Sequence, residues 1–136
     1  SGYDYLAIRT LVMKNIIVGI GKQIGVGKES DVFECFGPNN EKYVIKLHRL
    51  GRISFRKVKQ KRDYLGKRKS SSWLYFSRLS AHREYEFMKV LYGVKDNNGK
   101  HVFNVPKPVD VCRHAVIMSL IDGFPLYHVK AIKKPV

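Results

Sequence analysis

The short segment Gly25-Val26-Gly27-Lys28-Glu29-Ser30 constrains this chain most, because strand-like runs flank it on both sides. Upstream, Ile16 to Ile24 is rich in β-branched residues and reads as a strand with interior glycines. Downstream, Val32 to Phe36 reads as a second strand. The turn Gly37-Pro38-Asn39-Asn40 and a third strand, Lys42 to His48, follow. Connections this short join strands antiparallel, because a parallel return needs a crossover of about a dozen residues or more. The first third of the chain therefore predicts a three-stranded antiparallel sheet.

Helical patterns flank that sheet. Residues 4–14 predict a short helix, with Asp4 as its cap, Leu6, Leu11 and Val12 as a broken apolar face, and Asn15 as its stop. A longer helix is predicted to begin within Ser70–Trp73 and to run to Tyr92, with Gly93 as its C-terminal cap. Leu79, Tyr85, Met88 and Leu91 give it one broad buried face. Asp96-Asn97-Asn98-Gly99 reads as a turn. Each proline in Val105-Pro106-Lys107-Pro108 keeps its predecessor extended. Val109 to Cys112 and Ala115 to Ile121 then predict a hairpin turning at Arg113-His114. The fold class is α+β, with a five-stranded antiparallel sheet and one long helix.

Composition excludes several function classes. Hydrophobic residues make up 44% of 136, enough for a globular core. No apolar stretch approaches bilayer length, and the first residues lack the pattern of a secretory signal. The two cysteines, Cys35 and Cys112, form no CxxC pair, and the five histidines are scattered. Neither a disulfide framework nor a zinc site is predicted, and a reducing intracellular compartment is the simple reading. The formal charge of +15 points to a polyanionic partner, with nucleic acid the first choice. Ten of the 26 Lys and Arg residues, with the single acid Asp63, lie between Arg49 and Lys69. A solvated loop would have the same composition. Tyr64, Trp73 and Tyr75 could stack on unpaired bases, although packing is the expectation for Trp73 and Tyr75.

Three features with chemistry occur in a fixed order. The loop reads G-x-G-x-x-S, one glycine short of the kinase pattern G-x-G-x-x-G. Such a loop lets backbone amides approach phosphate oxygens, although a hairpin that merely needs glycine gives the same letters. It is neither a Walker A loop nor a Rossmann fingerprint, since a strand follows it. The second feature is Lys46 in Val44-Ile45-Lys46, on the next strand but one. A lysine in an apolar strand costs stability unless its charge is used. The third is an acid on the long helix, Glu84, with Glu86 on roughly the opposite side as its rival. At ~4 Å and an effective dielectric of ~20, a lysine–glutamate attraction is about 4 kcal/mol before desolvation.

With these residues in view, the chain resembles the RIO family of atypical serine/threonine protein kinases, in its second, winged-helix-bearing subfamily. The resemblance rests on Gly25 to Asp31, on Ile45-Lys46-Leu47-His48-Arg49-Leu50-Gly51-Arg52 and on Ser72-Trp73-Leu74-Tyr75. Arg78-Leu79 to Glu84, Val105-Pro106-Lys107-Pro108 and Arg113 to Met118 extend it. It implies a kinase-like amino-terminal lobe over 21–123, preceded by the end of a winged helix over 1–20. A flexible basic insert over 54–72 would carry an autophosphorylated serine among Ser54, Ser70, Ser71 and Ser72. Residues 124–136 would leave the hinge toward a carboxy-terminal lobe.

The resemblance also implies a site. Lys46 would hold phosphates of ATP and Glu84 would pair with it. Gly25, Val26, Gly27, Lys28, Glu29, Ser30 and Val32 would line the nucleotide. Met118 would sit behind adenine, with the backbone of Ser119 and Ile121 bonding its edge. Ser119 departs from the family, where similar members carry glutamate. Mg2+ would be held by residues of the carboxy-terminal lobe, because 123–136 contains no Asp, Asn or Glu. A role in maturation of the small (40S) ribosomal subunit, with pre-40S particles and rRNA as partners, is implied too. So is a cytoplasmic location with shuttling to the nucleus. The alternative is a non-catalytic RNA- or ribosome-docking module in which nucleotide acts as a conformational switch.

Overall fold

The computed structural model describes residues 2–50 and 66–120. The element order is α1 (Gly2–Met13), β1 (Gly19–Val26), β2 (Ser30–Phe36), β3 (Lys42–His48), α2 (Gly66–Gly93), β4 (Pro108–Cys112) and β5 (Ala115–Ser119). All strand pairs are antiparallel, in the order β1-β2-β3-β5-β4. This is the five-stranded α+β sheet expected. Among the described residues no helix is long and apolar enough to cross a membrane.

Register decides what each face of the sheet carries, because directly opposite residues of an antiparallel pair point the same way. Ser30 pairs with His48, Val32 with Lys46 and Glu34 with Val44. Val44 pairs with Met118 and Lys46 with Val116. These residues share the face that meets α2, where Val32, Val44, Val116 and Met118 pack with Ala81 and Met88. Residues one step out of phase, Cys35, Ile45, Leu47, Ala115 and Ile117, form the other face and pack on Ala7 and Leu11 of α1. Each helix thus covers its own side of one sheet.

Several boundaries differ from the sequence expectation. β1 begins at Gly19, because α1 closes in a Schellman turn that uses the residues before it. The Ile16 amide donates to the Leu11 carbonyl at 3.0 Å, and the Asn15 amide to the Val12 carbonyl at 2.9 Å. Asn15 takes a left-handed φ of 61° there, the role foreseen for it as a stop. Asp4 is not the helix cap. It lies inside the first turn, and its carboxylate bonds Arg49 and His114. α2 starts at Gly66, ahead of the expected Ser70, so residues 66–72 of the predicted insert continue a helix. Residues 54–65, with Ser54 and Tyr64, lie outside the described residues.

The turns follow their residues. A Cβ at Gly37 would stand 2.6 Å from Glu41 Oε1 and 2.8 Å from the Tyr43 ring, so a larger residue at that corner would have to push both side chains aside. Asn40 and Arg113 supply left-handed conformations at φ 64° and 54°. Trp73 packs edge-on against Tyr3 and His114, as a packing residue should. Tyr75 does not; it is 62% exposed and touches Phe76 in a T-shaped pair.

Candidate functional site

Lys46 follows Val44 at a strand's two-residue period, so it points into the α2 side of the sheet. It is only 4% exposed. A charge so placed must be paired. Glu84 meets it, with Nζ 2.7 Å from Oε2. Glu86, the rival, is exposed and pairs with Lys89 on its own helix at 3.7 Å. The helix turn therefore selects Glu84.

Glu84 has a second partner that sequence reasoning passed over. His48 Nε2 lies 3.0 Å from Glu84 Oε1, and Ser80 Oγ lies 3.1 Å from His48 Nδ1. Burial alone would raise the Glu84 pKa. The His48 hydrogen bond and the Lys46 charge outweigh it and hold the carboxyl down at about 2. A signal for this network was present in spacing. His48 stands two residues after Lys46 on a strand, and Ser80 stands four before Glu84 on a helix.

α2 reaches the sheet closely enough because small residues line its inner face. Ser77 and Ala81 are fully buried. Ser77 Oγ accepts from the Leu50 amide at 2.8 Å, which ties the exit of β3 to the helix two turns before Glu84.

The glycine loop caps the β1–β2 hairpin above this pair. Gly27 donates its amide to the Ser30 carbonyl at 2.7 Å, and the Glu29 carbonyl accepts from the Arg49 amide at 2.6 Å. The loop is thereby fixed to the end of β3. Its Gly27 amide is spent inside the turn and is not available to a phosphate. Val26 and Lys28 are exposed at the tip, whereas Ser30 is buried and shares the Lys46 face. A Cβ at Gly25 would stand 3.5 Å from Val32 Cβ, an ordinary contact, so the glycine faces Val32 directly across the hairpin.

Val32, Val44 and Met118 form the apolar floor of the same face, with Ile24 packed against them. At the far edge, Ser119 donates its amide to the Lys107 carbonyl at 2.9 Å, and its Oγ accepts from the Lys107 amide at 2.9 Å. Of the backbone groups of Ser119, the carbonyl is then the one left to serve an incoming ring. Ile121 lies outside the described residues. Among the described residues no group of three or more His, Cys, Asp or Glu side chains is placed to hold a metal ion.

A family model described as the RIO domain matches residues 31–135. The chain belongs to the RIO domain family. The serine/threonine-protein kinase rio2 of Schizosaccharomyces pombe is 50% identical over 135 residues, 99% of this chain and 37% of that protein. The RIO2 kinase of Caenorhabditis elegans is 50% identical over 132 residues, 97% of this chain and 24% of its own. A crystal structure of the Rio2 kinase from Chaetomium thermophilum, an ADP/Mg2+-phosphoaspartate complex, matches with a TM-score of 0.72 and 44% identity. That match covers 99% of this RIO chain and 36% of the solved one. The chain thus spans between about a quarter and a little over a third of these three relatives.

Proposed function

We propose that this RIO chain is the ATP-binding lobe of an atypical serine/threonine kinase or ATPase that acts in maturation of the small ribosomal subunit. One observation carries the reading: a buried lysine held by a helix glutamate beneath a glycine loop. In this reading the Lys46 ammonium would meet the α- and β-phosphates, and Val32, Val44 and Met118 would give adenine an apolar floor. The complex of the related kinase with ADP and Mg2+ supports the same ligand. When bound, ATP supplies the phosphoryl group. The chain's part is to anchor its phosphates through Lys46, cover them with the Gly25–Ser30 loop, and exclude water with the apolar floor. Mg2+ would arrive on the phosphates, its protein ligands coming from the part of the whole protein outside this chain.

The test uses the full-length protein. Lys46→Ala should abolish phosphoryl transfer and ATP hydrolysis while leaving the fold intact by circular dichroism. Undiminished turnover in that variant would remove the reading.

A second reading, a docking module that uses nucleotide only as a switch, is favoured by the charge of +15. It predicts RNA or ribosome binding that survives Lys46→Ala, with no turnover in the wild type. In either reading RNA contact through six to ten phosphates should weaken ~10³–10⁵-fold between 50 and 200 mM salt. A flat salt response would exclude it.

A further inference from the structure

The Lys46–Glu84 pair is one of three side-chain contacts joined at the centre of the site. Glu84 presents two oxygens to the sheet, and β3 fills both: Lys46 takes Oε2 at 2.7 Å and His48 takes Oε1 at 3.0 Å. The His48 side chain is nearly as buried as that of Lys46, at 6% against 5% exposure. Its other ring nitrogen is 3.1 Å from Ser80 Oγ, one helical turn before Glu84. Its backbone is fixed as well, since its amide donates to the His114 carbonyl at 2.9 Å. The residue is therefore held at three points, and the two on its ring are both on α2.

Glu84, ionised at neutral pH, can only accept. His48 Nε2 must then carry the hydrogen between them. Nδ1 is left to Ser80, whose hydroxyl can either donate or accept and so suits either ring state. A carboxylate bonded to one flexible lysine can swivel with it. A carboxylate bonded also to a ring on the same strand cannot turn without breaking a second, charge-assisted bond.

We propose that His48 is a positioning residue that keeps Glu84, and with it α2, seated against β3 while Lys46 turns its ammonium to the phosphates. The proposal rests on the phosphate role of Lys46. A lysine that bridges Glu84 and a phosphate divides its hydrogens between them. His48 supplies the bond that does not have to be shared, and so the pocket is in its binding geometry before nucleotide enters. Preorganisation of this kind lowers the ordering cost of binding. It acts on ligands that carry phosphates and leaves the adenine floor unaffected.

The test measures ATP, ADP and adenosine affinity by calorimetry on the full-length protein. His48→Leu should weaken ATP and ADP about tenfold, the size of one lost charge-assisted hydrogen bond, and adenosine less than twofold. His48→Gln, whose terminal amide reaches as far as the imidazole Nε2, should restore most of the loss. His48→Asn, which stops at the Nδ1 position, should not. In a Lys46→Met background His48→Leu should cost nothing further. Equal weakening of all three ligands would make His48 a packing residue and overturn the proposal. So would an unchanged ATP affinity in His48→Leu beside a strong Lys46→Met effect. If Lys46→Met itself leaves ATP binding intact, the phosphate reading falls instead. Should His48→Leu fail to fold, the Gln and Asn pair carries the same decision, and equal affinities in those two variants would overturn the proposal.

Discussion

The two faces of the sheet are built from alternate residues of the same strands and yet solve different problems. The α1 face is apolar along β3, with Ile45 and Leu47 buried against Ala7 and Leu11. Its polar contacts are pushed to one end, where Asp4 bonds Arg49 at 2.8 Å and His114 at 2.6 Å, and Arg49 also bonds Asp31 at 2.5 Å. The α2 face carries its charges in the middle, with Lys46, His48 and Glu84 between Val44 and the helix. An apolar seal holds helix to sheet without regard to direction, whereas a central ion network does so only in one register. A buried ion pair contributes little net stability against an apolar replacement, but leaving one partner alone is costly. The α1 face is thus organised for stability and the α2 face for a fixed geometry.

The largest expected effect tests that contrast directly. Glu84→Ala leaves Lys46 and His48 buried without their acceptor and should destabilise by about 3–5 kcal/mol in urea unfolding at neutral pH. A loss under about 1 kcal/mol would mean that the α2 face relaxes freely, and the contrast would fail. Ile45→Ala on the opposite face should cost about 2–5 kcal/mol through cavity formation. It should leave the nucleotide affinity of the folded protein unchanged, and a matching loss of affinity would show that the two faces are coupled.

Acid should act mainly through the carboxylates. Glu84 has a folded pKa of about 2 against an ordinary 4.5. A depressed carboxyl contributes stability that is fully present above its unfolded value and is lost as pH falls toward its folded one. Stability should therefore decline between about pH 4.5 and pH 2. Asp4, also held below its ordinary range because its His114 and Arg49 contacts outweigh the opposing effect of burial, adds to the decline from the α1 side. Urea midpoints for Glu84→Gln should fall less over that window than those of the wild type; parallel curves would locate the acid sensitivity elsewhere. The smallest effect belongs to the exposed Glu86–Lys89 pair, 3.7 Å apart. Glu86→Ala should change stability by less than about 0.5 kcal/mol, and a larger change would reopen the choice between the two glutamates.

Much of this was legible from residue order. Glycines, Asn15, Asn40 and the hairpin turn at Arg113 marked chain reversals, and β-branched runs marked strands to within three residues at their starts. Lys46 stood out as a cation in an apolar strand. Asp4 misled because a helix-start acid is usually a cap, and only the meeting of α1 with Arg49 and the β4–β5 turn gave it other partners. Tyr75 misled because its neighbour Trp73 packs, while a helix turns by about 200° over two residues and carries Tyr75 to the outside.

The sequence by itself determined which residues carry charge in apolar surroundings, and hence that Lys46 needed a partner. Periodicity is a local property, set by each residue's own backbone. Only the tertiary structure decided that the partner is Glu84 and not Glu86, that the Gly27 amide is committed to its own turn, and that His48 and Ser80 complete the network. Those outcomes depend on how far and at what rotation α2 settles on β3. Buried Ser77 and Ala81, the floor of Val44 and Met118, and α1 behind the sheet fix that placement jointly, and no single stretch of chain contains it.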